Sequence, residues 1–201
     1  MIKHPKNPTN FGLVISGVGG QGLITLLKIL GEAAMVEGYE VRTSELHGLS
    51  QRGGSVEVHI RFGKSIYSPL IEAGGADLVI ALEAQEAYSA SRYSAKNKTV
   101  YLINNFLQPI VGGFSYRIEE ILKSIKEISK KIIIVSATDT CRKEFGTDVV
   151  SGIYLLGCAV KNNLIPLKKT TILKAINDVV PKEYRELNIN AFTLSDKREE
   201  K

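Results

Sequence analysis

The feature that most constrains this chain is a glycine cluster with an apolar segment before it and a helical periodicity after it. Residues 10–16 (Asn-Phe-Gly-Leu-Val-Ile-Ser) read as a buried strand and run straight into Gly17-Val18-Gly19-Gly20-Gln21-Gly22. Beyond the glycines, Leu23, Ile24, Leu26, Leu27, Leu30, Ala33 and Ala34 recur at helical spacing, and Gly38 supplies a stop. Residues 39–45 then alternate, with Tyr39, Val41 and Thr43 on one face and Glu40, Arg42 and Ser44 on the other, as a second strand would. This strand–loop–helix–strand unit is of the βαβ type and predicts parallel pairing of its two strands.

The next segment departs from that rhythm. About ten residues, 46–55, lead to the following strand, too few for a crossover helix. That strand, 56–62, sets Val56, Val58, Ile60 and Phe62 against Glu57, His59 and Arg61, which predicts one wet or interfacial face. Gly63-Lys64 reads as a hairpin turn into a short strand at 65–67. From Asp77 a βα rhythm resumes, with strands at 78–82, 99–103 and 132–135 and helices at 83–93 and 118–130. In the second of these helices Ile118, Ile121, Leu122, Ile125 and Ile128 form a stripe opposite a solvated Lys/Glu face. From Thr138 the pattern is helical (148–162, 168–180, 181–190), with Pro181 in a first turn and a fraying charged tail at 196–201. The expected fold is α/β: three-layer α/β/α with a mixed, mostly parallel sheet, a Rossmann-like start and a helical C-terminal end. It forms one domain over 1–201, with an α/β core at 10–135 and a helical part at 136–195.

Composition narrows the function classes. No apolar run approaches the ~20 residues of a membrane span, and the N-terminal MIKHPKNPTN lacks a secretory apolar stretch, which predicts a cytoplasmic protein. The net charge is +5, but the lysines are scattered and not interleaved with aromatics, so an anionic small molecule or an acidic partner suits it better than nucleic acid. Cys141 and Cys158 form no CxxC pair. An iron–sulfur cluster takes four Cys and a structural zinc four Cys or His, so the chain cannot supply either alone. Two free thiols, one or both buried, are expected.

Two motifs carry chemistry. Gly17-x-Gly19-x-x-Gly22 matches a dinucleotide fingerprint, with Gly20 and Gln21 inside it and Glu45 downstream where a ribose-binding acid belongs. Such glycines either bring backbone amides to a phosphate or simply let strand, helix and partner pack closely. The second motif is Glu45-Leu46-His47-Gly48-Leu49-Ser50-Gln51-Arg52-Gly53-Gly54-Ser55, costly to order unless it binds something. Arg52 offers a donor fork for a carboxylate or phosphate. His47 reads as a hydrogen-bonded loop residue, because no nucleophile or carboxylate stands beside it at a catalytic spacing. There is no P-loop lysine, HExxH or GxSxG, so no catalytic residue is assigned and the chain reads as part of a larger assembly.

The two motifs together resemble the gamma-type subunit of 2-oxoacid:ferredoxin oxidoreductases. The His-Gly-x-x-Gln-Arg-Gly-Gly-Ser-Val form is most similar to the indolepyruvate branch, with Leu49 where Met is more usual. Relatives acting on pyruvate or oxoglutarate tend to carry Tyr-Gly-x-x-x-Arg-Gly-Gly. Tyr67-Ser68-Pro69-Leu70-Ile71, Gly75-Ala76-Asp77-Leu78 and Glu83-Ala84-Gln85-Glu86-Ala87 extend the resemblance. It implies a complex that oxidatively decarboxylates arylpyruvates to an acyl-CoA, carbon dioxide and reduced ferredoxin. Thiamine diphosphate and 4Fe-4S clusters would be carried by a larger alpha subunit, with no cofactor held tightly here. Gly17, Gly19, Gly20, Gln21, Gly22, Glu45, His47, Gln51, Arg52, Gly53, Gly54 and Ser55 would then meet coenzyme A or the partner. Competing readings are a gamma subunit for another 2-oxoacid (pyruvate, oxoglutarate or isovalerate type), a free-standing dinucleotide-binding oxidoreductase and a purely structural module.

Overall fold

In a computed structural model, which describes residues 8–48, 54–108 and 117–197, the spine of the sheet is β1 (Asn10–Val18). It is buried from Phe11 to Gly17, as a strand flanked on both sides and covered on both faces must be. The chain continues through α1 (Leu23–Val36), β2 (Glu40–His47), β3 (Ser55–Gly63), β4 (Leu78–Ala81), α2 (Ala84–Ser89) with a 3-10 turn (Ala90–Tyr93), β5 (Val100–Asn104), α3 (Ile118–Ile128) and β6 (Lys131–Val135). The helical end comprises α4 (Ala137–Phe145), α5 (Ser151–Lys161), α6 (Lys169–Val179) and α7 (Arg185–Leu194). The sheet order is β2-β3-β1-β4-β5-β6. β1, β4, β5 and β6 pair in parallel, while β3 is antiparallel to both β1 and β2. Helices cover both faces. One apolar cluster joins α1 and α4–α7 to the sheet through Phe11, Leu13, Ile15, Val58 and Ile60, and the other joins α2 and α3 through Val14, Val79, Tyr101 and Ile103.

The mixed, mostly parallel sheet is as the sequence predicts, but the pairing of β2 is not. β1 and β2 run in the same direction without touching, because β3 lies between them. The short 46–55 connection permits only an antiparallel return, and the returning strand takes the place beside β1 that a Rossmann-type unit gives to β2. The turn into β2 is set by Gly38 at φ 83°: its N–H bonds the Met35 carbonyl at 2.9 Å and the Tyr39 N–H bonds that of Ala34 at 3.1 Å, a Schellman closure.

Four further expectations need correction. The polar face of β3 is not wet: Glu57 and His59 are buried under the 3-10 turn and the strap that follows β3. Glu57 Oε2 accepts from Arg92 Nη2 at 2.8 Å and from the Tyr93 hydroxyl at 3.0 Å. His59 Nδ1 accepts the Ile71 N–H at 3.2 Å, its ring stands edge-on to Tyr93, and burial lowers its pKa. The hairpin at Gly63-Lys64 and the strand at 65–67 do not form. Gly63 ends β3 where a Cβ would lie 2.3 Å from the Thr9 carbonyl oxygen, and Ile66 is buried with its N–H on Glu40 Oε2 instead of on a strand. Pro181 precedes a 3-10 turn (Lys182–Tyr184) rather than sitting in the first turn of α7, and Asp196 of the charged tail is held by Lys169. Cys141 and Cys158 are both buried and form no disulfide.

Two stability predictions follow from this packing. At Gly157 of α5 an added Cβ would lie 2.2 Å from the Phe192 carbonyl oxygen of α7, so Gly157→Ala should cost about 1–3 kcal/mol. Nothing lies within 4 Å of a Cβ at Gly31 of α1, so Gly31→Ala should gain about 0.5–1 kcal/mol. Denaturant unfolding measures both, and equal midpoints would refute the packing. The second prediction concerns Glu86, buried on α2, whose carboxyl accepts from Ser55 Oγ at 2.5 Å. Burial, with Glu83 and Glu57 nearby, pushes its pKa up. The folded chain therefore binds more protons than the unfolded one, and stability falls as pH rises from the ordinary carboxylate pKa through the raised value. Glu86→Gln removes that loss, so its unfolding midpoint should gain on the wild type as pH rises above the ordinary carboxylate range. A difference constant with pH would overturn this.

Candidate functional site

The glycine loop lies at the C-terminal edge of the sheet, between β1 and α1. Each glycine there has a separate cause. A Cβ at Gly17 would stand 2.7 Å from Gln21 Oε1 and 3.1 Å from Leu82 Cβ, whereas Gly20 and Gly22 adopt φ of 100° and 80°. Gly22 is the N-cap of α1, which has no side-chain cap and no acidic residue in its first turn. The loop is nonetheless occupied by its own side chain. Gln21 Oε1 accepts the Val18 N–H at 2.9 Å, and the Gly19 N–H donates to the Gly54 carbonyl at 3.1 Å. Two amides that a phosphate would use are thus already spent.

Gln21 is held in turn by an acid. Its Nε2 donates to Glu83 Oε1 at 3.3 Å, and Glu83 Oε2 accepts the Gln108 N–H at 2.9 Å. Glu83 is buried at the start of α2, and desolvation pushes its pKa up. Glu86, one turn later, holds Ser55. The sequence reading did not place Glu83 or Glu86 in the site. Their signal was a pair of carboxylates three residues apart in a segment opening a helix beyond an apolar strand.

The second motif is brought to the first by the backbone. The Gly48 N–H bonds the Ser55 carbonyl at 3.2 Å, closing the root of the intervening loop, and Gly54 and Ser55 bind Gly19 and Glu86 as above. Gln51, Arg52 and Gly53 lie outside the described residues. Glu45 and His47 are not brought to the glycine loop. They face solvent on β2, with His47 Nε2 3.3 Å from Glu45 Oε2. Glu45 pairs with Val58, which pairs with Ile15, so it stands two strand spacings, roughly 9–10 Å, from β1. A dinucleotide site requires its acid on the adjacent strand. That displacement, the Gln21 plug and the buried Glu83 all count against the dinucleotide reading.

On the other side of the glycine loop a cleft of about 500 Å³ opens over the C-terminal ends of β1, β4 and β5. The chain leaves β1 toward β2 on one side and leaves β4 toward β5 on the other, so this is the switch point of the sheet. Asn104 organises its floor: Nδ2 donates to the Leu82 carbonyl at 2.9 Å and Thr138 Oγ1 at 2.8 Å, and Oδ1 accepts from the first amides of α4. Arg142 lies over the Phe106 ring and bonds one oxygen of Asp148 through Nε at 3.0 Å and Nη2 at 2.6 Å. These cleft residues were not found from sequence, because their meeting depends on the order of the strands. Among the described residues no group of three or more His, Cys, Asp or Glu could hold a metal ion, and no helix is long and apolar enough to cross a membrane.

Comparison with known proteins agrees with this architecture. The family described as pyruvate ferredoxin/flavodoxin oxidoreductase matches residues 12–195. An indolepyruvate oxidoreductase subunit IorB from Archaeoglobus fulgidus is 34% identical over 90% of this chain and 92% of its own. A pyruvate/ketoisovalerate oxidoreductases common subunit gamma from Pyrococcus furiosus is 28% identical over 87% of this chain and 89% of its own. Among solved structures, the 2-oxoglutarate:ferredoxin oxidoreductase from Magnetococcus marinus, with 2-oxoglutarate, coenzyme A and succinyl-CoA bound, superposes at a TM-score of 0.70 with 18% identity. That match covers 97% of this chain but 32% of the other, so there the same fold is one part of a longer polypeptide. By a profile that spans nearly all of its length, the chain belongs to the pyruvate ferredoxin/flavodoxin oxidoreductase family.

Proposed function

We propose that this chain is the subunit without redox groups of a 2-oxoacid:ferredoxin oxidoreductase of the indolepyruvate type, and that its two motif loops complete the active-site entrance of a larger subunit. That partner would carry thiamine diphosphate and 4Fe-4S clusters. There the oxoacid loses carbon dioxide, the acyl group passes to the thiol of coenzyme A, and the released electrons pass to ferredoxin. The observation that carries the reading is the Gly19 N–H to Gly54 carbonyl bond, reinforced by Ser55 on Glu86, which fastens the loops into one surface at the sheet edge where such folds meet their ligands. The Gln-Arg-Gly-Gly-Ser form of the second loop, and the greater identity to the IorB relative than to the common gamma subunit, favour an arylpyruvate.

With the Val18 and Gly19 amides spent internally, phosphate recognition is left to Arg52 and the uncapped first turn of α1. The glycine loop then serves to fix where the Arg52-bearing loop begins and ends. The anion that Arg52 meets is a coenzyme A phosphate, with an acidic patch of the partner as the alternative.

Reconstituting the larger subunit with and without this chain tests the role, with indolepyruvate-dependent ferredoxin reduction as the measurement. Activity should need both, and full turnover by the larger subunit alone would refute it. Arg52→Ala should raise the apparent KM for coenzyme A by about tenfold or more, the loss of a charge-assisted hydrogen bond. If complex yield falls instead, at unchanged KM, the acidic-patch alternative holds. Gln21→Leu leaves the Val18 N–H and Glu83 Oε1 without their partner, and should cost the isolated chain about 1–3 kcal/mol in denaturant unfolding. An unchanged midpoint would show that the plug is dispensable.

A further inference from the structure

β2 is an edge strand whose only guards are the charges of Glu40, Arg42 and Glu45. It pairs with β3 over its whole length, Glu40 to His47, without a bulge, and it contains no proline or lysine. Among the described residues nothing pairs with its outer edge, and six of its eight residues are exposed. The surroundings are apolar. Of the large hydrophobic side chains exposed on the described surface, Met35 and Val36 end α1 just before β2, and Leu46 lies on β2 itself. Tyr67, 94% exposed, and Leu70 lie on the strap that Glu40 and Arg61 hold across the same border. Two of the backbone carbonyls of that strap, Ser68 and Leu70, are gripped by Arg61 Nη1 at 3.1 and 3.3 Å, so the apolar tip is presented in a fixed pose. Five of the eight large hydrophobic side chains exposed on the described surface thus lie on β2, on the helix end before it or on the strap, with Tyr88, Val149 and Tyr184 elsewhere, and apolar exposure flanking an open edge marks an interaction surface.

The charge pattern of β2 says what kind of strand completes it. A second copy pairing through a two-fold axis must set residues of like parity opposite one another, because opposed side chains share a face of the sheet. Centring that pairing on Arg42 or on Glu45 sets like charges face to face, which destabilises. Centring it on Thr43 opposes Val41 to Glu45 and Glu40 to Leu46, and centring it on Ser44 opposes Arg42 to Leu46. Every two-fold register that overlaps more than three residues therefore mismatches charge or polarity. Self-pairing is thereby disfavoured, and the strand that would suit this edge is one from a different chain with an acid opposite Arg42, a base opposite Glu45 and an apolar residue opposite Leu46.

We infer that the outer edge of β2, with the Tyr67–Leu70 strap beside it, receives an extended segment of the larger thiamine-bearing subunit by strand addition. This rests on the subunit reading above and adds its docking element. β2 leads directly into the loop that carries Arg52, so a strand added to this edge would fix the chain beside the partner's active site.

Hydrogen exchange of the isolated chain and of its complex with the larger subunit tests this, together with the double variant Arg42→Glu/Leu46→Asp and, as a control, Glu127→Lys on the opposite side of the fold. In the isolated monomer the outward amides of 40–47 should exchange fast, and in the complex they should be protected. The double variant, with an unchanged thermal midpoint, should bind the larger subunit about tenfold or more weakly, while the control binds as wild type. A complex that forms and turns over with 40–47 unprotected, or with the double variant at full affinity, overturns the inference and leaves the subunit reading intact. Protection already present in the isolated chain, or a homodimer that the double variant dissolves, overturns it in favour of another occupant. Failure of the wild-type chain to bind the larger subunit at all overturns both.

Discussion

The position of β3 decides most of what is distinctive in this fold. The connection from β2 is too short to cross the sheet, so the chain returns antiparallel and takes the place beside β1. Four consequences come from that single constraint. Glu45 moves one strand further from the glycine loop, which removes the acid that a dinucleotide site needs. The end of the 46–55 connection is laid against Gly19, which couples two motifs far apart in sequence. The polar face of β3 is carried under the Ala90–Tyr93 turn, where Glu57 and His59 must find partners. β2 is left outermost with one edge open.

The polar groups gathered at this border explain why the glycine loop keeps one shape. A flexible loop with amides pointing at solvent would bind anions opportunistically. Here Gln21 answers the Val18 amide and is itself answered by Glu83, so a single side chain satisfies a donor and an acceptor that would each be costly to bury alone. Ser55 does the same service for Glu86. Among the described residues Ser16 Oγ and His59 Nε2, buried on the same face of the sheet, find no partner.

What was legible in the sequence was local. The apolar run before Gly17, the 3.6-residue periodicity from Leu23 and the stop at Gly38 define β1, α1 and the turn between them, because each depends only on neighbours in the chain. The amphipathic stripe of Ile121 and Ile125 located α3 for the same reason. What stayed hidden was set by contacts between distant segments. Alternation in β3 signals two different faces but not what covers the second, so Glu57 and His59 read as wet while Arg92, Tyr93 and Ile71 bury them. Ile66 reads as a strand residue because its apolar side chain is buried, yet its amide bonds a carboxylate. Glu83, Arg142 and Asp148 come to the loop edge only through the strand order, which no window of sequence contains.

The placement of charge bears on how this edge meets an anion. The chain as a whole is basic, at +5, but the described groups fixed around the glycine loop are not. Glu83 and Glu86 lie beneath it, Glu45 stands on the neighbouring border, and Arg142 is matched by Asp148. A phosphate approaching this frame finds two of the loop amides occupied, keeps only the first turn of α1 to bind, and is repelled by Glu83 and Glu86 where they are ionised. On the proposed reading the attraction is therefore concentrated in Arg52 and in the partner. On that reading binding is conditional on assembly: a frame that is a poor anion site alone becomes a good one only when a second chain adds its own charges.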